Sequence, residues 1–134
     1  MTFQHARTVT SSATPAAVWA LWSDPGTWSA WDPAVQGVVL EGPFAAGTTG
    51  TMTLTGGIDA PVVLEVVEAG RRYLDRLTMG DLVIRIDHVV EAAGSGSEIT
   101  VATTIEGPGA EDVGPMVTTD APTAMARLVA LAEG

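Results

Sequence analysis

The chain of 134 residues contains neither cysteine nor lysine. Without cysteine it can form no disulfide bond, no thiolate metal site and no thiol nucleophile. The absence of lysine accompanies an abundance of alanine, glycine, valine and threonine, as a GC-rich coding sequence would produce, and we give it no functional weight.

Basic residues are scarce, and all six of them are arginine. Sixteen acidic residues oppose them, which gives a formal net charge of −10 at pH 7. A surface of that sign repels phosphate backbones and anionic lipids, so we expect no nucleic-acid partner and no membrane insertion. The two histidines, His5 and His88, are far apart in the sequence and no cysteine accompanies them, so we predict no metal site and no cofactor.

Long apolar runs are also missing. No segment approaches the roughly 20 apolar residues of a transmembrane helix, and Met1–Arg7 lacks the apolar run of a secretory signal. We therefore expect a cytoplasmic protein. A hydrophobic fraction of 46% with only 16% charged residues excludes intrinsic disorder, and the length predicts a single domain, residues 1–134.

Three glycine-containing turns organise the stretch from Val62 to Glu106. Ala69-Gly70, Gly80-Asp81 and Gly94-Ser95 are predicted as tight two-residue turns, because glycine accepts the positive φ that such hairpin loops require. Counting outward from these turns sets the pairing of four strands. The predicted pairs are Val66 with Tyr73, Leu64 with Asp75, Val62 with Leu77, Tyr73 with His88, Asp75 with Ile86, Leu77 with Ile84, Met79 with Leu82, His88 with Val101, Ile86 with Thr103 and Ile84 with Ile105.

Side chains alternate between the two faces of a strand, so these paired residues share one face of a four-stranded antiparallel meander. The opposite face is mostly polar, and a one-residue slip in pairing would turn the apolar face towards water. Two residues on the apolar face are not typical of a core, Asp75 and His88. They lie on neighbouring strands one pair apart, a diagonal that long side chains can span.

The residues before the meander predict one strand, two short helices and two further strands. Thr14 followed by Pro15 predicts a helix start, because the hydroxyl can cap free amides and proline is tolerated in the first turn. The predicted elements are a strand over Phe3–Thr10, a helix from Pro15 to about Ser23, a helix or turn over Pro25–Trp28, a strand over Val35–Glu41 and a strand over Gly50–Thr55, whose Met52 and Leu54 point to the same side.

The end of the chain reads as helix, with apolar residues at spacings of three and four from Val117 to Ala132. Pro122 inside a continuous helix would remove a backbone hydrogen bond and kink it. We therefore predict a short segment around Asp112–Thr118, followed by a main helix with Asp120 as its cap.

Strand, two short helices, six strands and a long C-terminal helix is the element order of the α+β helix-grip fold, in which a curved antiparallel sheet of about seven strands wraps around the C-terminal helix. Local motifs over nearly the whole chain resemble the polyketide cyclase/dehydrase branch of the START-like (SRPBCC) superfamily. These motifs are Pro15-Ala16-Ala17-Val18-Trp19, Ser23-Asp24-Pro25 with Trp28, Trp31-Asp32-Pro33, Phe44-x-x-Gly47, His88 with Gly96 and Thr100 beyond it, and Gly107-Pro108.

The resemblance implies a cavity between the concave sheet face and the last helix. Apolar walls with a few convergent polar groups suit a small hydrophobic ligand. The residues predicted to line this cavity are Trp28, Trp31 and Phe44 around a mouth, and Met52, Leu54, Leu64, Tyr73, Leu77, Ile84, Ile86, Val101, Met125 and Leu128 elsewhere in its wall.

Asp75 and His88 admit two interpretations. In a catalytic pair the carboxylate would fix the imidazole tautomer and His88 would move protons, as cyclisation or dehydration requires, with Tyr73 as a second donor. In a structural pair the two side chains would only satisfy each other's hydrogen bonds inside a closed core, where unpaired polar atoms are costly.

The first functional hypothesis is a binding or carrier protein for a small hydrophobic or aromatic molecule, lipid- or polyketide-like. The second is a polyketide cyclase or dehydratase with His88 as acid and base and Asp75 as its orienting group. The third is an interaction module with a vestigial cavity. The inward face carries no arginine that could hold a carboxylate or enolate, which weakens the enzyme hypothesis. Leu74 and Val83, predicted to be exposed on the outer sheet face, leave room for a homodimer.

Overall fold

The computed structural model describes residues 2–134, and its elements follow the predicted order of the α+β helix-grip fold. The bounds differ from the predicted ones by only a few residues. In chain order the elements are β1 (Thr2–Ser11), α1 (Pro15–Trp22), a 3₁₀ turn (Pro25–Thr27), α2 (Trp28–Trp31), β2 (Val35–Leu40), β3 (Thr49–Leu54), β4 (Ile58–Glu68), β5 (Arg72–Met79), β6 (Leu82–Ala93), β7 (Gly96–Glu106), α3 (Ala110–Thr118) and α4 (Ala121–Glu133).

Seven strands form one curved antiparallel sheet with the order β1-β7-β6-β5-β4-β3-β2. The first strand therefore pairs with the last, while the helical segment after β1 carries the chain to the opposite edge. Helix α4 packs against α1 and α2, and α3 packs against β1 and β7. In the described part of the chain no helix is both long enough and apolar enough to cross a membrane.

Two of the three predicted turns are confirmed. Met79 pairs with Leu82 across Gly80-Asp81, and Ala93 pairs with Gly96 across Gly94-Ser95. Both first glycines have φ of 59°, a left-handed conformation that costs glycine little and other residues more. Every pair predicted between β5 and β6 and between β6 and β7 is present.

The loop between β4 and β5 differs from the prediction. It contains three residues, Ala69–Arg71, because Glu68 pairs with Arg72. Gly70 has φ of 79°, and the Arg71 amide donates to the Glu68 carbonyl over 3.0 Å. Three-residue hairpin loops with a left-handed glycine are the next most common kind after two-residue turns.

A β-bulge in β4 compensates for the extra residue of the β4–β5 loop. Val67, and not Val66, lies opposite Tyr73, so the predicted pair of Val66 with Tyr73 is wrong. The register shifts between Leu64 and Val66, and beyond it Leu64 pairs with Asp75 as predicted. A bulge places two residues opposite one. The inward face of β4 is therefore kept despite the longer loop.

The two short helices begin where the sequence predicts. The Ala17 amide donates to the Thr14 hydroxyl over 3.2 Å, which caps α1. The Gly26 amide donates to the Asp24 carboxylate over 3.2 Å, which begins the 3₁₀ turn. The predicted helix or turn at this point is a 3₁₀ turn that continues directly into α2.

The C-terminal helices are separate, as Pro122 predicts. Pro122 lies in the first turn of α4, where its missing amide proton is not needed. Asp120 occupies the N-cap position, but its backbone carbonyl accepts from the Ala124 amide over 2.9 Å and its side chain makes no capping hydrogen bond. Helix α3 begins two residues before the predicted Asp112, after Gly109 with φ of 78°.

Ion pairs cover the outer sheet face. Arg72 binds Asp87 through two hydrogen bonds of 2.9 Å, and Glu65 accepts from both Arg76 and Arg85 at 2.9 Å. All five side chains are partly exposed, and pairs of this kind contribute about 1 kcal/mol or less. The outer face is therefore polar, as predicted, and the apolar face of the sheet is the one that the helices cover.

Leu74 and Val83 are half-buried on this outer face, so the prediction that they are exposed is wrong. Ion-pair side chains share that face with them. A homodimer through this surface remains a prediction, without the exposed apolar patch that suggested it. Among residues 2–134 the exposed large hydrophobic side chains are Val39, Ile58, Met116, Val117 and Leu131.

Gly114 permits a close approach of α3 to β1, and its replacement by alanine should destabilise the protein. A Cβ at this position would overlap the Phe3 ring. Overpacking of this kind costs about 1–3 kcal/mol, more than the gain of up to about 1 kcal/mol in helix propensity. Urea unfolding measures the change in the free energy of unfolding.

Gly37→Ala is the matched control, because nothing lies within 4 Å of a Cβ there. It should change the free energy of unfolding by no more than about 0.5 kcal/mol. In a Phe3→Ala background Gly114→Ala should lose most of its effect. An equal effect in both backgrounds would show that the overlap with Phe3 is not the cause.

Candidate functional site

A cavity of about 510 Å³ lies between the inward sheet face and helices α2, α3 and α4. Its wall is mainly apolar, because the inward residues of β3, β5, β6 and β7 meet apolar residues of α4 there. Thirteen of the fifteen predicted site residues line it, namely Trp28, Trp31, Met52, Leu54, Tyr73, Asp75, Leu77, Ile84, Ile86, His88, Val101, Met125 and Leu128.

Phe44 and Leu64 do not line the cavity. Leu64 is fully buried in the core, and its carbonyl accepts from the Gly47 amide over 2.7 Å, which ties the loop after β2 to β4. Phe44 packs edge-on against Tyr73 and Trp28, with ring centroids 5.3 and 6.3 Å away. The loop therefore places Phe44 behind the cavity wall, and its predicted position at a mouth is wrong.

Several lining residues are not among the fifteen named site residues. Counting from the turns also places Met79 and Thr103 on the inward face, so the sequence contained the signal for these two. The residues from the α2–β2 and α3–α4 connections had no such periodic signal. The additional lining residues are Trp22, Asp32, Pro33, Ala34, Val35, Thr55, Ile58, Met79, Thr103, Met116, Val117, Thr118, Asp120, Ala121 and Ala124.

The mouth is marked by apolar side chains that line the cavity and also face solvent. Met116 is 75% exposed and Ile58 is 52% exposed. Two carboxylates, Asp32 and Asp120, lie in the same lining. Burial raises the pKa of Asp32, the Ala34 amide hydrogen bond lowers it, and the nearby Asp120 raises it further. The cavity lining is thus mainly apolar, with these carboxyl groups among its polar groups and no arginine.

An aromatic wall formed by Trp22, Trp28, Tyr73 and His88 lines part of the cavity. The Tyr73 and His88 rings stack in parallel at 3.9 Å. Trp28 stacks on Tyr73 at 5.6 Å, and Trp22 meets His88 edge-on at 5.5 Å. The Trp28 indole donates to the Trp22 carbonyl over 2.9 Å, so α1 and α2 hold the wall against the sheet.

Asp75 and His88 both line the cavity, but they are not hydrogen-bonded to each other. Asp75 Oδ1 and His88 Nδ1 are 3.9 Å apart, beyond hydrogen-bond distance. His88 Nδ1 lies 3.3 Å from the Tyr73 carbonyl, so the neutral imidazole donates from Nδ1 and keeps a lone pair on Nε2. The two side chains therefore do not satisfy each other, contrary to the structural interpretation, and the Tyr73 carbonyl is the group that orients the imidazole.

Burial keeps both groups neutral over a wide pH range. Desolvation raises the pKa of Asp75 to about 7. Desolvation also lowers the pKa of His88 to about 4, although the hydrogen bond to the Tyr73 carbonyl opposes it. Between these values the carboxyl is protonated and the imidazole is uncharged. Among residues 2–134 no group of three or more acidic, histidine or cysteine side chains could hold a metal ion.

Asp75→Asn and His88→Gln should change the pH dependence of stability in opposite directions. Asp75 keeps its proton in the folded chain up to about pH 7, whereas the unfolded group loses it near 3.8. Its contribution to the free energy of unfolding therefore falls as the pH rises between these values. His88 stays neutral when folded down to about pH 4, whereas the unfolded group binds a proton below 6.5. Its contribution therefore rises over that interval.

In wild type the two contributions oppose each other. In Asp75→Asn only the His88 contribution remains, so the free energy of unfolding should rise with pH relative to wild type. In His88→Gln only the Asp75 contribution remains, so the free energy of unfolding should fall with pH relative to wild type. Each slope should differ from that of wild type by at most about 1.4 kcal/mol per pH unit. Urea unfolding at several pH values between about 4 and 6.5 measures both slopes. Slopes of the same sign in the two variants, relative to wild type, would contradict the assigned protonation states.

Comparison with known proteins identifies the family and the fold. Residues 2–133 match the model of the family described as "Polyketide cyclase / dehydrase and lipid transport". No curated protein sequence matches the chain. The crystal structure of Ara h 8.0201 has 19% identity and a TM-score of 0.77, with 98% of each chain covered. Truncated norcoclaurine synthase from Thalictrum flavum has 18% identity and a TM-score of 0.74, with 96% of this chain and 91% of that chain covered.

A second structure of the same synthase, in complex with dopamine and hydroxybenzaldehyde, has 19% identity and a TM-score of 0.73, with 96% of this chain and 84% of that chain covered. At these identities the solved structures show a common fold and nothing about activity. The family match extends over almost the whole chain. This protein belongs to the polyketide cyclase/dehydrase and lipid transport family of the START-like (SRPBCC) superfamily.

Proposed function

We propose that the protein binds a small, neutral, apolar or aromatic molecule in the cavity between sheet and α4. The observation that carries this proposal is the cavity itself, with about 510 Å³ of space and a mainly apolar lining. Sites for small organic ligands have volumes of roughly 300–1,000 Å³ and a few fixed polar groups in an apolar wall. The bound dopamine and hydroxybenzaldehyde of the related synthase structure support an aromatic ligand of this size.

The charge of the lining opposes an anionic ligand. None of the cavity residues is an arginine, and the chain has no lysine. Asp32, Asp75 and Asp120 all line the cavity. A carboxylate or phosphate ligand would therefore meet acidic groups and no cation, and burying an unpaired charge is costly. Fatty acids and phospholipids fit this cavity less well than uncharged molecules.

Binding can be tested with N-phenyl-1-naphthylamine, a neutral aromatic dye whose emission rises in apolar surroundings. Wild type should bind it saturably. Ala124 on α4 is buried and lines the cavity, so Ala124→Phe places a ring in that space and should weaken binding about tenfold or more, which is about 1.4 kcal/mol. Fluorescence titration gives the two dissociation constants.

Ala126→Phe is the matched control, since Ala126 lies on the same helix, is exposed and does not line the cavity. It should leave the dissociation constant within about twofold. Circular dichroism would check that both variants fold. Absence of dye binding by wild type, or equal weakening in the two variants, would rule out the cavity as the binding site.

A cyclase or dehydratase is the second candidate, and the environment of Asp75 is the observation that favours it. A buried carboxyl with a pKa of about 7 can accept and release a proton near neutral pH. The low pKa of His88 makes that imidazole a weak base. With neither lysine nor cysteine for nucleophilic catalysis, proton transfer by Asp75 is the chemistry that this cavity supports, with His88 as a neutral neighbour.

The elimination of 5-nitrobenzisoxazole tests this chemistry, because its N–O bond breaks when a base removes the ring C–H proton. Wild type should exceed the buffer rate, and the rate should rise as the pH passes about 7, where Asp75 becomes ionised. Asp75→Asn should return the rate to the buffer value, whereas His88→Gln should retain most of it. A wild-type rate equal to that of buffer would eliminate Asp75 as a general base and leave binding as the function.

A further inference from the structure

Two buried side-chain atoms in residues 2–134 have no hydrogen-bond partner, Asp75 Oδ1 and Trp22 Nε1. Asp75 is 2% exposed and Trp22 is fully buried. Both residues line the cavity. Buried polar atoms in native proteins are nearly always paired, so the coincidence of both orphan atoms in one cavity wall points to a partner inside the cavity.

Asp75 Oδ1 and the Trp22 ring both lie near the stacked rings of Tyr73 and His88. Asp75 Oδ1 is 3.9 Å from His88 Nδ1, and the Trp22 ring centroid is 5.5 Å from that of His88 and 5.6 Å from that of Tyr73. Two neighbouring polar groups of the lining already have partners. The Trp28 indole donates to the Trp22 carbonyl, and Asp32 accepts from the Ala34 amide. The two buried unpaired atoms of residues 2–134 therefore both belong to residues at the aromatic wall.

The chemistry of the two atoms restricts the ligand group. The indole N–H of Trp22 only donates, so it requires an acceptor. The Asp75 carboxyl accepts a hydrogen bond in either protonation state, and it can also donate one while it is protonated. A hydroxyl is both donor and acceptor in a single small group. An ammonium offers no acceptor to Trp22, and a ligand carboxylate offers no donor to the ionised carboxyl of Asp75 and repels it.

We propose that the ligand is an apolar or aromatic molecule with a hydroxyl group, which hydrogen-bonds at the aromatic wall to Asp75 and Trp22. This inference rests on the proposed binding function and names its ligand class. The apolar body of the ligand would extend towards α4 and the mouth. Recognition of a hydroxyl by buried polar groups is highly selective, because a ligand without it leaves those groups unpaired.

Naphthalene and 2-naphthol form a matched pair of probes, since they differ by one hydroxyl. Each is titrated against wild-type protein loaded with N-phenyl-1-naphthylamine, and displacement gives its affinity. We expect 2-naphthol to bind about tenfold tighter or more, although the hydroxyl makes it the more water-soluble of the two. This comparison needs no variant, so the result does not depend on how a substitution affects folding.

Substitution of Asp75 and of Trp22 tests whether these side chains bind the hydroxyl of the ligand. Asp75→Leu should remove most of the preference for 2-naphthol over naphthalene, and Trp22→Phe should reduce it severalfold, with naphthalene affinity changing less than 2-naphthol affinity in both. Trp19→Phe is the control, because Trp19 lies on the same helix and does not line the cavity. It should leave the preference unchanged. Asp75→Asn serves as a milder variant if Asp75→Leu fails to fold.

The outcomes separate this inference from the proposed function. If neither probe displaces the dye and neither binds directly by calorimetry, the binding function and the hydroxyl inference both fail. If both probes bind equally, the cavity binds apolar molecules but a hydroxyl is not recognised, and buried water satisfies the two atoms instead. Tighter binding of 2-naphthylmethylammonium than of 2-naphthol would replace the hydroxyl with a cation and overturn the inference.

Discussion

The alternation of side chains along β5, β6 and β7 is the constraint on which the rest of the structure depends. It turns Tyr73, Asp75 and His88 towards the helices, and a slip of one residue would expose all of them to water. The bulge in β4 keeps the inward residues of that strand opposite those of β5, because it compensates for the extra residue of the β4–β5 loop. The sheet can therefore present a continuous inward face only with this register.

Desolvation then determines the character of the cavity. Burial in an apolar enclosure favours the neutral forms of a carboxyl and an imidazole over an ion pair between them. The pKa of Asp75 therefore rises and that of His88 falls. The result is a set of neutral donors and acceptors in an apolar wall. Such a wall suits an uncharged molecule with one polar end, which is why the binding proposal and the hydroxyl inference follow from the same physical cause.

The sheet was predictable because its signals are local. Glycine at Gly80 and Gly94 specifies two-residue turns, and counting from them located most of the cavity wall correctly. Asp24 and Thr14 likewise marked helix starts that the structure contains. The β4–β5 pairing was the exception. A three-residue loop and a compensating bulge leave the pairs far from the loop as predicted, so counting from the turn detects neither the longer loop nor the bulge.

Sequence alone thus determined the family, the order of elements and which strand residues point inward, since all three depend on spacing between neighbours in the chain. Only the tertiary structure decided that Phe44 packs behind the wall, that Asp32 and Met116 line the cavity, and that Asp75 and His88 stay 3.9 Å apart. These facts depend on how segments distant in sequence pack together. No local pattern records that packing, and a difference of 1 Å separates a hydrogen bond from an unpaired atom.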